Sequence, residues 1–222
     1  MQTFHGMEMN TMRYTWMDEY LMRKPAVSKD FKAEWNWIRY FIGRKMFAAV
    51  LLDKEQKPYY INLKLDPTEG DFLRTQYEDI LPGYYSNKQH WNSIRPDGAV
   101  PDELLKTMLD QSYALVLHGL SKKKQQETLI TTYCGLDCTN CKWKEPCKCT
   151  GCVAAKGMAF HCKDNPCPVA ACAMEKKIAF CGMCNDFPCQ LLIGYSCDQE
   201  HGDTPKGARI EACRLIHALL KK

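Results

Sequence analysis

The sequence predicts an α+β protein in two parts: an antiparallel sheet with helices on one face, then a small cysteine-rich metal-binding domain with little regular structure and a C-terminal helix. Three observations carry this prediction. All fourteen cysteines lie between Cys134 and Cys213, and the first 133 residues contain none. Upstream of that boundary, apolar residues alternate with period two in some segments and recur at helical spacing in others. Downstream, three C-x-x-C pairs crowd into one short segment. The 222 residues are enough for one large or two small domains. The division read here is residues 1–122 for the α+β domain, 123–130 for a polar linker and 131–222 for the cysteine-rich domain.

Each element of the front domain has a local reason. Met17, Tyr20 and Leu21 stand at i, i+3 and i+4 in a short helix over Tyr14 to Arg23, which Pro25 ends. Trp35 to Phe41 reads as a strand, and Met46 to Leu52 is an apolar run of strand length. The segment Asp53 to Pro58 is a turn. Tyr59, Ile61, Leu63 and Leu65 then share one face of a strand, while Tyr60, Asn62 and Lys64 share a polar face able to meet solvent. Asp66-Pro67-Thr68-Glu69 starts a helix that runs to about Tyr77, with Asp66 as cap and Pro67 at the first helical position. Ile80 to Ile94 is loop and strand, and Asp97-Gly98 is a turn. Asp102 to His118 forms a longer helix with Leu105, Met108, Leu109, Ser112 and Val116 on its buried stripe, and Gly119 caps it.

Composition excludes some classes. No apolar run approaches the roughly 18 to 20 residues that span a bilayer. Met1 to Asn10 has no charged segment followed by an apolar one, so it does not read as a secretory leader. These features point to the cytoplasm, with no membrane partner. Thiols there stay reduced, which favours metal ligation over a disulfide scaffold. Residues 1–128 carry 18 Lys and Arg against 17 Asp and Glu, and the remainder carries 12 against 9. Bulk charge therefore gives little attraction for nucleic acid, and only a local patch could supply it. That patch is Lys64, Lys88, His90, Trp91 and Arg95, where cations beside an aromatic ring suit a phosphate and a base. The competing reading is a surface loop whose Trp91 packs against the sheet. Lys122-Lys123-Lys124 reads as part of a solvated hinge.

The C-x-x-C pairs are Cys138/Cys141, Cys149/Cys152 and Cys181/Cys184. Two intervening residues let both sulfurs face one ion at about 2.3 Å within a tight turn. Gly135, Gly151 and Gly182 sit beside these pairs, where such turns need freedom of φ. The candidate ligands are Cys134, Cys138, Cys141, Cys149, Cys152, Cys162, Cys167, Cys172, Cys181, Cys184 and Cys189. Zinc is the expected metal, at about two or three ions, because tetrahedral thiolate sites need no redox partner. Their pairing is open, and His161 could replace a thiolate. Cys147, which crowds Cys149, and Cys197 and Cys213 read as non-ligating; Cys213 falls on a helix with Ala212, Leu215, Ile216, Leu219 and Leu220 as its buried stripe. An iron–sulfur cluster is the alternative. Cys134-x3-Cys138-x2-Cys141 has radical-SAM spacing, but too little chain follows it for the barrel such enzymes need.

Two resemblances rest on these residues. Residues 14–122 resemble the MmcQ/YjbR family through Gly43-Arg44-Lys45-Met46-Phe47-Ala48, Asn62-Leu63-Lys64-Leu65-Asp66-Pro67, Pro82 to Trp91, Val100 to Leu105 and Ser112-Tyr113. The resemblance implies a CyaY-like sandwich, and members are commonly described as DNA-binding. Residues 131–217 resemble an uncharacterised cysteine-rich prokaryotic family through Tyr133-Cys134-Gly135-Leu136, Cys149-x-Gly151-Cys152 and Cys181-Gly182-x-Cys184-x-x-Phe187-Pro188-Cys189. That resemblance implies metal binding and no assigned activity. No G-x-S-x-G, H-E-x-x-H, Walker loop or G-x-G-x-x-G occurs, and the adjacent His161-Cys162 is not a nucleophile pair. The expected function is therefore non-enzymatic: nucleic-acid binding by the front domain, with a structural zinc module behind it. A protein-interaction adaptor and a redox-responsive iron–sulfur protein are the alternatives.

Overall fold

The computed structural model describes residues 12–200 and 202–221; Met1 to Asn10, read above for a leader, lie outside the described residues. It divides into two compact units, residues 1–120 and 121–222.

In the first unit α1 (Met17–Met22) precedes β1 (Val27–Lys32), β2 (Trp37–Ile42), β3 (Lys45–Leu52) and β4 (Pro58–Lys64). Then follow α2 (Pro67–Gln76), β5 (Ile80–Pro82), β6 (Trp91–Ile94) and α3 (Asp102–His118). The six strands form one antiparallel sheet in the order β1-β2-β3-β4-β6-β5. Gly43 and Arg44 join β2 to β3 with φ of 52° and 69°. Positive φ at both central residues is what a two-residue hairpin loop requires, and it sets Lys45 opposite Ile42. Helix α3 packs across β2, β3 and β4. Its Ser112 ties the layers together: the hydroxyl donates to the Phe47 carbonyl at 2.6 Å and accepts from the Lys64 N–H at 2.8 Å. Tyr14, Tyr40, Phe47, Val50, Ile61, Leu63 and Leu65 are almost wholly enclosed in this core. Both sheet edges are poor templates for a further strand. β1 carries Lys29, Asp30 and Lys32, and β5 is three residues ending in Pro82.

The second face of the sheet departs from the expected solvent-facing polar row. Asn62 and Ser93 are fully buried and bonded to each other. A register shift between Leu51 and Leu52 leaves Tyr59 unpaired, so Tyr59 and Tyr60 both pack on the cluster of Trp37, Ala49 and Leu51. Tyr59 therefore does not share the face of Ile61.

The second unit contains α4 (Lys122–Leu129), α5 (Pro168–Glu175), α6 (Gln190–Cys197) and α7 (Ala208–Lys221), with a short 3-10 turn at Cys181–Met183. Residues 123–129 of the segment read as a polar linker thus lie in a helix, with Ile130 following it. Ser121 caps it by accepting from the Lys124 N–H, and Gln125 and Leu129 bury one side. Helix α7 turns Ile210, Cys213 and Ile216 inward and leaves Leu215 46% exposed, which shifts its buried stripe from the expected one. Among the described residues no helix is long and apolar enough to cross a membrane.

Candidate functional site

The structure gathers part of the predicted basic patch and adds a cation the sequence reading missed. Lys64 ends β4 opposite Trp91, the first residue of β6. The backbone around this pair is fixed by the Ser112 hydroxyl on the Lys64 N–H and by the Leu65 N–H donating to the His90 carbonyl at 2.9 Å. Asn87 organises the loop before Trp91. Its side-chain oxygen accepts from the Gln89 N–H at 2.8 Å, and its carbonyl from the Trp91 N–H at 2.9 Å. Lys45, Lys64, Asn87, His90 and Trp91 then line a recess of about 400 Å³, closed on its apolar side by Leu115, Val116 and Gly119 of α3.

Charge in this recess is uncompensated. Partial burial lowers the pKa of the Lys64 ammonium, and the positive charge of Lys45 adds to the effect. No carboxylate forms an ion pair with either lysine among the described residues. A close neighbour that favours the Lys64 cation is the Trp91 ring, 5.1 Å away at its centroid.

Trp91 is only 8% exposed, so it floors the recess and cannot present a free face to a base, as packing rather than stacking would have it. Lys88 is exposed and lines a neighbouring hollow formed by residues 81–88. Arg95 lies four residues along the chain from Trp91, roughly 13 Å in extended conformation. There its Nε stands 4.0 Å from Asp79, away from the other cations. The missed Lys45 was within reach of the sequence: the Gly43-Arg44 turn places it at the start of a strand whose Ala48 pairs with Leu63, next to Lys64.

In the second unit all fourteen cysteines are free thiols. Cys138/Cys141 and Cys181/Cys184 each form a tight turn, with Cys141 N–H to Cys138 carbonyl at 3.3 Å and Cys184 N–H to Cys181 carbonyl at 3.0 Å. The third pair turns at Gly151, whose φ is +97°. Burial outweighs the backbone N–H groups of Cys152, Tyr133 and Gly182, which act to lower the pKa of the Cys138, Cys152 and Cys213 thiols. Cys134 stands near two neighbourhoods, one with Cys138, Cys152 and Cys167, the other with Cys172, Cys181, Cys184, Cys189 and Cys213. Burial is the main cause that pushes the thiols of Cys152 up to about 11 and those of Cys181 and Cys213 to about 12, with neighbouring cysteines adding to each. Lys176 reaches Cys184 at 3.5 Å and pairs with Asp186 at 2.5 Å. Cys162 sits 3.5 Å from the Gly157 carbonyl, and Cys167 and Cys189 precede α5 and α6. Cys147 is exposed and Cys197 ends α6. Cys213 is fully buried beside Gly135. Among the described residues no three His, Cys, Asp or Glu side chains meet at ligating distance.

Two family models match, one in each unit. A family model described as YjbR matches residues 22–115. The Bacillus subtilis protein YyaQ is 40% identical over 109 residues, covering 44% of this chain and 92% of the relative. YbdF of Escherichia coli O157:H7 is 37% identical over 86 residues, covering 38% of this chain and 68% of the relative. The chain belongs to the YjbR family. YjbR itself, from Escherichia coli K12, is 29% identical over 108 residues, covering 49% of this chain and 90% of that protein. A crystal structure of Deinococcus radiodurans DR2400, with a DUF419 domain, aligns at 31% identity and TM-score 0.45, over 50% of this chain and 84% of the other. Beyond the YjbR region, residues 130–193 match a model described as a protein of unknown function, DUF3795. The lysine recess thus lies within the YjbR region except for the few residues at its α3 wall, and the cysteine turns lie in the second matched region, with Cys197 and Cys213 beyond it.

Proposed function

We propose that the YjbR unit binds nucleic acid, holding backbone phosphate between Lys45 and Lys64, and that the cysteine-rich unit is a zinc-stabilised module with no catalytic role. One observation carries the first part: two lysines converge on a recess without a carboxylate to neutralise them. Like charges brought together and partly buried weaken a fold unless an anion completes the arrangement. His90 and the Lys64–Trp91 pair border the same recess and are suited to a phosphate oxygen and its sugar. Binding of this kind depends on salt, because each neutralised phosphate releases condensed counterions.

The donor set in the second unit suits zinc in its chemistry. Cysteine turns, one of them with a left-handed glycine, set thiols two residues apart, the spacing a tetrahedral zinc site uses. Zinc held by four thiolates would supply cross-links between Cys134 and the loops and helices around it. Loading would have to draw the sulfurs closer than they stand here.

The test is fluorescence anisotropy with labelled oligonucleotides from 50 to 200 mM salt. The native protein is expected to bind, with affinity falling linearly on a log–log plot. Lys45→Ala and Lys64→Ala should each weaken binding and reduce the slope by about 0.7 to 0.9, the share of one phosphate. Binding that ignores both substitutions would refute the proposal.

A further inference from the structure

The aromatic face of the sheet is packed at its centre and open at its ends. Trp35 contacts Trp37 edge-on at 5.5 Å, and Trp37 shares a cluster with Tyr59 and Tyr60. Tyr60 lies 5.2 Å from Tyr84, and Tyr84 lies 4.2 Å from Tyr85. The row runs from the β1–β2 turn across the sheet to the 84–90 loop. Its ends are open: Trp35 is 53% exposed, Tyr84 42% and Tyr85 76%. Tyr85 also holds a left-handed backbone, φ 55°, which is unfavourable for a residue with a side chain. A strained, protruding tyrosine contributes little to the core, so its conformation calls for another explanation.

This row adjoins the phosphate recess. The hollow of about 730 Å³ beside Tyr84 and Tyr85 and the recess around Lys45 and Lys64 have Asn87 as a common wall. Cation and aromatic surfaces therefore meet within one loop, while the tyrosine side brings no carboxylate wall to its hollow.

Building on the phosphate reading above, we propose that the nucleic acid is single-stranded, with unpaired bases stacking on Tyr84 and Tyr85 while the adjoining phosphates enter the Lys45–Lys64 recess. A duplex keeps its base faces stacked inside and could offer this row only its backbone. Rings in a row accept any base, since every base has a π-face, so the expected recognition tolerates sequence and depends on strandedness.

The experiment compares single-stranded and duplex oligonucleotides of one sequence, using the full chain and the variants Tyr85→Gly, Tyr84→Ala and Lys45→Ala. Tyr85→Gly removes the ring and relieves the left-handed strain, so its melting temperature should hold or rise. Its single-strand affinity should fall about tenfold, the loss of one base–aromatic stack. Tyr84→Ala should act in the same direction, and duplex binding should be weaker and insensitive to both. Equal affinity for duplex, or unchanged single-strand binding by Tyr85→Gly while Lys45→Ala still weakens it, overturns the stacking inference and leaves the phosphate reading standing. Absence of binding to either form overturns both.

Discussion

Asn62→Ala tests whether the loop bearing Tyr84 is hung from the sheet by a buried polar network. Asn62 Oδ1 accepts from the Ser93 hydroxyl at 2.6 Å, and Nδ2 donates to the Tyr84 carbonyl at 3.0 Å. The Ser93 oxygen accepts from the Tyr84 N–H at 2.7 Å, closing a ring of three residues. Alanine deletes two hydrogen bonds, each worth about 1 kcal/mol net. It also leaves the Ser93 hydroxyl enclosed without an acceptor, at a further ~1–2 kcal/mol. The expected loss is about 3–4 kcal/mol, a large fraction of the roughly 5–15 kcal/mol that holds a domain together. Urea unfolding followed by tryptophan fluorescence measures the total, and hydrogen exchange at the Tyr84 amide measures the local share. The Tyr84 amide should lose protection more than the amides of β2, which lie outside the network. A loss below about 1 kcal/mol, with Tyr84 protection intact, would refute the assignment.

Three other outcomes are expected. Burial, then the charge of Asp18, holds the Tyr40 phenol well above its ordinary value, and its hydroxyl donates to Asp18 at 2.8 Å. The protonated form is favoured by the fold, so stability is intact below pH ~10 and drops as pH rises toward the folded pKa; Tyr40→Phe should flatten that decline in urea midpoints measured from pH 9 to 11. Gly135 has φ +88°, and a Cβ there would stand 2.6 Å from Cys213 Sγ, so Gly135→Ala should destabilise the second unit by about 2 kcal/mol or more, read by hydrogen exchange in α7. Protein purified without oxygen should be colourless with about two or three zinc ions, and chelation should strip protection from α5–α7 while leaving the sheet unchanged; brown protein with iron and sulfide would defeat the zinc assignment.

The elements legible in the sequence are those whose pattern and burial agree. β3 is a continuous apolar run and is buried along nearly its whole length; α2 has its Asp66 cap and α3 its heptad-like stripe, and each folds where that chemistry places it. β1 was illegible because an edge strand needs few apolar residues, and Lys29, Asp30 and Lys32 break up any apolar pattern. Asn62 read as solvent-facing because alternation cannot show that a later loop folds back over it. Tyr59 changed face through a bulge, which shifts parity without any mark in composition. Of the cations grouped around Trp91 in the sequence, Lys64 and His90 line one recess with it because of the strand register, whereas Arg95 lies apart beside Asp79. The buried stripe of α7 was misplaced because helix phase was read from leucines, and the helix turns Cys213 inward.

The two edges of the sheet set a limit on how this protein can meet other molecules. A charged outer strand at one side and a three-residue strand closed by proline at the other are poor templates for a visiting chain to extend. Growth by strand addition, one route by which sheets recruit peptides or copies of themselves, is disfavoured at both. Association is thereby turned toward faces and loops, where contact is made by side chains and can be dissolved by changing one of them.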